Sequence, residues 1–338
     1  MQNCRAVILD AEGLRLTSDE KELFRRYDPF GFILFARNLD TADQIRALCA
    51  EFRDTVGRNA PILIDQEGGR VARLRPPLVR DWPSPMQQVK MAGHQASQVI
   101  SLRYRLIAQE LRRLGIDCNC APVVDLAFAV THDFLKNRCL GSEPSTVTEL
   151  GREVARAHLD AGVLPVIKHL PGHGRATVDS HYDLPRVSEP LDTLETTDFS
   201  TFHGLRDMPL AMTAHVVYDA LDSKAPATLS SAALEYARNT IGFDGLILSD
   251  DLGMKALGGE LSTLAQQAIA AGCDIVLSCN SSLEDREQVA IHAGEMSKEV
   301  QERADAALAM RKLGGEVDIP TLEAEFTQLT RELANDGS

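Results

Sequence analysis

PVIKHL at 165–170 and GLILSDD at 245–251 share one plan, an apolar run that ends on charged residues. Neither run shows the in/out alternation of a half-exposed strand, and continuous apolarity suits a parallel strand covered on both faces. Working outward, the same reading applies to AVILD at 6–10, GFILFA at 31–36, PILID at 61–65, CNCAPVVDL at 118–126, PLAMTAHVVY at 209–218 and DIVLSC at 274–279. Helical patterns fill the intervals. Thr17 with Glu20 and Thr41 with Gln44 have the spacing of capping boxes, the second ahead of the stripe Ile45, Leu48, Cys49 and Phe52. After Ser145, the stripe Val147, Leu150, Val154 and Ala157 stops near Gly162. Eight strands alternating with helices predict an α/β fold, a single (β/α)8 barrel domain spanning 1–338. A helix near 320–335, with Leu322, Phe326, Leu329 and Leu333 on one face, is expected on its exterior. The alternative, a doubly wound open sheet, normally carries a glycine-rich phosphate loop after its first strand, and Asp10-Ala11-Glu12-Gly13 is not one.

Composition narrows the partners. The 338 residues carry 35 Lys+Arg against 49 Asp+Glu, a net charge of -14. That balance opposes a nucleic-acid backbone or an anionic membrane as the main partner and leaves room for a local basic pocket. Seven cysteines, an odd number spread through apolar segments, read as reduced core thiols and hence a cytoplasmic protein. The N-terminus lacks the plan of a secretion signal, and no stretch approaches the about 18 apolar residues of a membrane helix.

The polar residues fall where a barrel would use them. Asp65 ends the third run, Asp125 the fourth, Lys168 and His169 the fifth, His215 lies late in the sixth, and Asp250 and Asp251 end the seventh. One charged residue at a strand end is ordinarily a cap or turn former. Five such strands point to a shared site at the C-terminal mouth. The segment KHLPGHGRATVDSHYDLP, 168–185, adds a Gly/Pro-rich loop in which Asp179 stands two residues from His181. There the carboxylate could orient the imidazole as a proton donor and acceptor, although an isolated D-S-H is more often an exposed turn. Asp250, rigid at a strand end, suits a nucleophile that attacks a sugar carbon, and Asp251 is assigned to capping the next helix.

The motifs IDQEGGRVARL, KNRCLGSEP, KHLPGHG followed by DSH, MTAHVVY and GFDGLILSDDLGM resemble, in order and spacing, the bacterial β-N-acetylhexosaminidases of glycoside hydrolase family 3. The resemblance covers almost the whole chain. It implies Asp250 as nucleophile and His181 as general acid/base with Asp179 as its partner. It also places Asp65, Arg73, Arg138, Lys168 and His169 around a non-reducing sugar. Members of this length resemble the cytoplasmic enzymes of cell-wall recycling, which remove terminal N-acetylglucosamine from muropeptides ending in 1,6-anhydro-N-acetylmuramic acid. Such an enzyme is expected to be a monomer with a carbohydrate substrate and neither metal nor cofactor. Leu170 replaces a common Phe and Cys139 a frequent Ser, which bears on substrate contacts more than on the reaction.

Three other readings compete. A metal-dependent barrel hydrolase could gather His169, His173, His181 and His215, but the first strand brings no histidine pair and Lys168 would compete with a cation. A sugar-binding module without activity would want stacking aromatics, and Trp82 is the sole tryptophan. A phosphorylase, or another β-glycosidase of the same family, would keep the fold and change the acceptor or the sugar.

Overall fold

Adjacent residues on the strands enter two different apolar clusters. Ile8, Leu63, Val166, Met212, Leu248 and Leu277 meet in one, whereas Val7, Phe32, Ile64, Ile167, Ile247 and Val276 join the other, which includes the helices. Both clusters are apolar, which is why the runs carry no alternation of hydropathy even though their side chains alternate in direction. The strands are β1 (Arg5–Leu9), β2 (Pro29–Leu34), β3 (Ile62–Ile64), β4 (Cys118–Asn119), β5 (Leu164–Leu170), β6 (Leu210–Thr213), β7 (Leu246–Asp251) and β8 (Ile275–Ser278). In this computed structural model, which describes residues 4–178, 183–311 and 318–336, they form a closed parallel barrel in sequence order. Val7 opposite Val276 joins β1 to β8 and closes it. The open-sheet alternative is therefore excluded, and the predicted (β/α)8 barrel is the fold.

A helix follows each strand: α1 (Ser18–Tyr27), α2 (Ala42–Val56), α3 (Ala96–Arg113), α4 (Pro144–Asp160), α5 (Asp198–Gly204), α6 (Ser231–Asn239), α7 (Leu261–Ala271) and α8 (Leu283–Ala293). The box predicted at α1 is complete, with Thr17 and Glu20 exchanging side-chain to backbone bonds. At α2 only half forms: Thr41 accepts from the Gln44 N–H, while the Gln44 amide oxygen accepts from Asp40. Two more helices extend the barrel. α9 (Lys298–Ala309) places Ala304 and Ala307 in the inner cluster, and Arg303 pairs with Asp274 just before β8 at 2.9 Å, so this helix closes the N-terminal end. α10 (Ile319–Asp336) lies against α3, where Phe326 meets Trp82 edge to face.

Two runs were read as longer strands than they form. The 118–126 run pairs regularly only at 118–119 and afterwards keeps one bridge, Val123 to Lys168; Pro122 has no N–H to give the ladder. In the 209–218 run the barrel strand ends at Thr213, and Val217–Tyr218 pair instead with Arg186–Val187 in a separate two-stranded sheet. All seven cysteines are buried as thiols, as expected. No helix among the described residues is long and apolar enough to cross a membrane.

Helix α2 is held on the barrel by aromatic packing. Phe52 stacks on Phe32 of β2 at 4.2 Å between centroids and lies 5.9 Å from Phe24 of α1. Phe52→Ala should empty this contact and lower stability by about 3–5 kcal/mol, read as a reduced midpoint in urea unfolding.

Candidate active site

The inward parity of the strands continues at the C-terminal mouth, where the residue type changes. Leu63 is followed two residues later by Asp65, Val166 by Lys168 and Leu248 by Asp250, and all three line a cavity of about 380 Å³ with Arg73, Arg138 and His169. This volume falls in the range of small-ligand pockets. The apolar wall comes from Ile33, Phe35, Met212, Met254 and Leu277. A register shift in the β5/β6 pairing between Lys168 and Leu170 accompanies the presence of both Lys168 and His169 at the mouth. The Lys168–His169 peptide bond is cis.

Charge alternates without a break across the site. Arg73 Nη2 donates to Asp65 Oδ2 at 2.8 Å, and Lys168 Nζ donates to Asp65 Oδ1 at 3.0 Å and reaches Glu67 Oε1 at 2.7 Å. Arg138 grips Glu67 bidentately, at 2.9 and 2.8 Å. Burial works against each ionised carboxylate here. For Asp65 the charges of Lys168 and Arg73 outweigh it, and for Glu67 those of Arg138 and Lys168 do so, holding both below the usual range. The same partners hold Lys168 charged against its own burial.

Behind this array Asp125 is fully buried and does not reach the cavity. Its Oδ2 lies 2.7 Å from His169 Nδ1, and its Oδ1 accepts the backbone N–H groups of His169 and His173. A carboxylate in this state only accepts, so Nδ1 carries the hydrogen and Nε2 faces Arg138 Nη2 at 3.5 Å. Burial pushes His173 down to about 4. Asp250 accepts the Asp251 N–H at 2.8 Å. Burial would raise its pKa, but His215, His169 and Lys168 overcome this and lower it, so it stands ionised at neutral pH.

The structure thus gathers Asp65, Arg73, Arg138, Lys168, His169 and Asp250, six of the residues named from sequence. Asp179 and His181 lie outside the described residues. The chain on either side of them is anchored at the mouth: Tyr218 donates to the Gly172 carbonyl, Arg175 bonds Asp198 at 2.7 Å, and Arg186–Val187 pair with Val217–Tyr218. Asp251 requires a correction. It does not cap the following helix, which begins ten residues later behind Glu260. Its Oδ1 accepts the N–H groups of Gly253 and Cys279, both at 3.0 Å, tying the ends of β7 and β8 together. His215 was expected at the mouth and does not line the cavity; it sits behind Asp251. Among the described residues, no group of three or more His, Cys, Asp or Glu is placed to hold a metal ion.

Glu67 was missed. Its buried position depends on Gly68 (φ 107°), where a Cβ would lie 2.0 Å from Arg103 Nη2. That close approach lets Arg103 and Tyr104 both donate to the Glu67 carbonyl, at 2.8 and 3.0 Å. Two basic residues, Arg138 and Lys168, expected in one small pocket were the signal that a further buried carboxylate was required.

Residues 5–309, including every barrel strand, match the family described as "Glycosyl hydrolase family 3 N terminal domain". The chain belongs to glycoside hydrolase family 3. Within the family it groups with the β-hexosaminidases: a protein of that name from Alkalilimnicola ehrlichii is 39% identical over 284 residues, covering 81% of this chain and 80% of that one. The native NagZ structure from Neisseria gonorrhoeae superimposes with a TM-score of 0.84 at 29% identity, over 99% of this chain and 98% of the other. A family 3 β-N-acetylglucosaminidase from a Paenibacillus strain gives 0.83 at 29% identity over 97% of this chain, which spans 66% of that longer protein.

The clamp residue Asp251 makes a pH-dependent contribution. Burial, opposed by the two N–H donors and reinforced by Asp250 and Asp10, pushes its pKa from 3.8 up to about 7. A carboxyl with a raised folded-state pKa takes up a proton on folding, so its favourable effect is present below the unfolded value and is lost as pH rises through 7. Asp251→Asn keeps the oxygen acceptor and removes this titration. Its melting temperature should therefore gain on the wild type between pH 5 and pH 8, as measured by calorimetry; a constant difference would refute the assignment.

Proposed function

We propose that this family 3 barrel, acting as one catalytic domain, is a retaining exo-β-N-acetylglucosaminidase with Asp250 as its nucleophile. The observation that carries the reading is the position of Asp250: an ionised carboxylate on the inner face, opening into a cavity ringed by fixed charges. A sugar ring presents hydroxyls that both donate and accept. Asp65 would accept from them, while Arg73, Arg138 and Lys168 retain N–H groups beyond those used on Asp65 and Glu67. His169, with its tautomer held by Asp125, would present Nε2 as a further acceptor.

In the first step Asp250 attacks the anomeric carbon while His181, oriented by Asp179, gives its proton to the leaving oxygen. In the second, His181 takes a proton from water, which attacks the same carbon and frees Asp250; both steps pass through an oxocarbenium-like transition state. The usual glycosidase pairs two carboxyl groups, and here a histidine replaces one of them. The enzymes this chain resembles suggest peptidoglycan fragments, N-acetylglucosamine linked to anhydro-N-acetylmuramic acid with or without peptide, as substrate. We place the reaction in cell-wall recycling in the cytoplasm, catalysed by a monomer.

Asp250→Ala should lower turnover of an aryl β-N-acetylglucosaminide by about 10⁴-fold or more with the melting transition intact; near wild-type rates would refute the role. His181→Ala should lose about 10²–10⁴-fold with poor leaving groups and much less with activated phenols. NMR of the first-formed product should show the β-anomer, and a sugar 1-phosphate formed in phosphate buffer would identify a phosphorylase instead.

A further inference from the structure

Behind the cavity wall, a buried line of hydrogen bonds runs from β6 to the residue that follows Asp250. Thr213 Oγ1 lies 2.8 Å from Thr228 Oγ1, which lies 2.7 Å from His215 Nδ1; His215 Nε2 lies 3.0 Å from the Asp251 carbonyl oxygen. All three side chains are completely buried. The carbonyl only accepts, so Nε2 carries a hydrogen. With Thr213 donating to Thr228 and Thr228 to Nδ1, every bond in the line is satisfied in one direction. The competing contact from Thr228 to the Ala214 carbonyl is longer, 3.2 Å. Asp251 spends its other backbone group on the neighbouring side chain, its N–H donating to Asp250 Oδ1 at 2.8 Å.

We infer that His215 is a positioning residue for Asp250: the two threonines set its tautomer, its Nε2–H fixes the Asp251 backbone, and that backbone fixes the carboxylate that attacks the sugar. The inference rests on the reading of Asp250 as nucleophile. His215 does not line the cavity, so its part is geometric and not a contact with substrate. A carboxylate displaced even slightly from the line of attack loses rate while the sugar pocket still binds.

The test separates hydrogen bond from bulk. His215→Gln can keep an N–H near the place of Nε2, whereas His215→Asn reaches only the place of Nδ1 and loses the bond to Asp251. With an aryl β-N-acetylglucosaminide, His215→Asn should lower kcat about 10- to 100-fold with KM changed little, and His215→Gln should recover most of that loss. A 5-fluoro glycosyl fluoride of N-acetylglucosamine, followed by peptide mass spectrometry, should label Asp250 in the wild type and label it more slowly in His215→Asn. A label on another residue sinks the nucleophile assignment and this inference with it. A label on Asp250 that forms at the wild-type rate in His215→Asn overturns the inference alone. So does equal loss in both variants, or a loss that matches a fall in the folded fraction measured by circular dichroism.

Discussion

The mouth of this barrel depends on one buried ammonium group. Lys168 stands at the end of β5 with almost no solvent, and an isolated charge in that position would cost several kcal/mol. Asp65 and Glu67 make it tolerable, and each of those carboxylates needs a second cation, Arg73 or Arg138. No member can be neutralised without stranding its neighbour, so the five groups are fixed together before any ligand arrives. A polyhydroxylated ligand would meet donors and acceptors that need no rearrangement, the condition under which polar groups are most effective.

The same strands supply floor and chemistry. Because side chains alternate, each inward apolar residue is followed two positions later by one that faces the cavity. Val166 and Leu248 belong to the packed interior, Lys168 and Asp250 to the site. The rigidity of the functional groups is thus inherited from a close-packed core immediately beneath them, and the loops add what the strands cannot reach. The loop after β5 is held at both ends by contacts to Tyr218, Asp198 and Val217, beside the mouth it would serve.

The barrel was legible because parallel strands buried on both faces leave continuous apolar runs, and the site because those runs end in charge. Strand length was less legible: Pro122 truncates pairing inside an otherwise convincing run, and the turn after Thr213 sends Val217 and Tyr218 to a different partner. That Asp250 faces the cavity follows from inward parity with Leu248, but the role of Asp251, which also lines the cavity, depends on the N–H of Cys279, a neighbour in space that no local pattern reveals. Glu67 carried no local sign of its role because its burial is decided by Arg103, 36 residues away. Asp179 and His181 are carried by the D-S-H pattern and its family context alone.

A different consequence belongs to the cap of the first helix. Glu20 accepts from the backbone N–H groups of Thr17 and Glu12, and it also receives Arg286 Nη1 at 2.9 Å, whose Nε lies 2.9 Å from the buried Asp10 at the end of β1. Arg286 belongs to α8, the helix that follows the last strand. Asp10 also has Arg37 close by in sequence, but Glu20 waits for a cation made more than 260 residues later. The start of α1 can be completed only when the barrel has closed, so its two ends mature in a single event, and the nascent N-terminal segment stays electrostatically incomplete throughout synthesis.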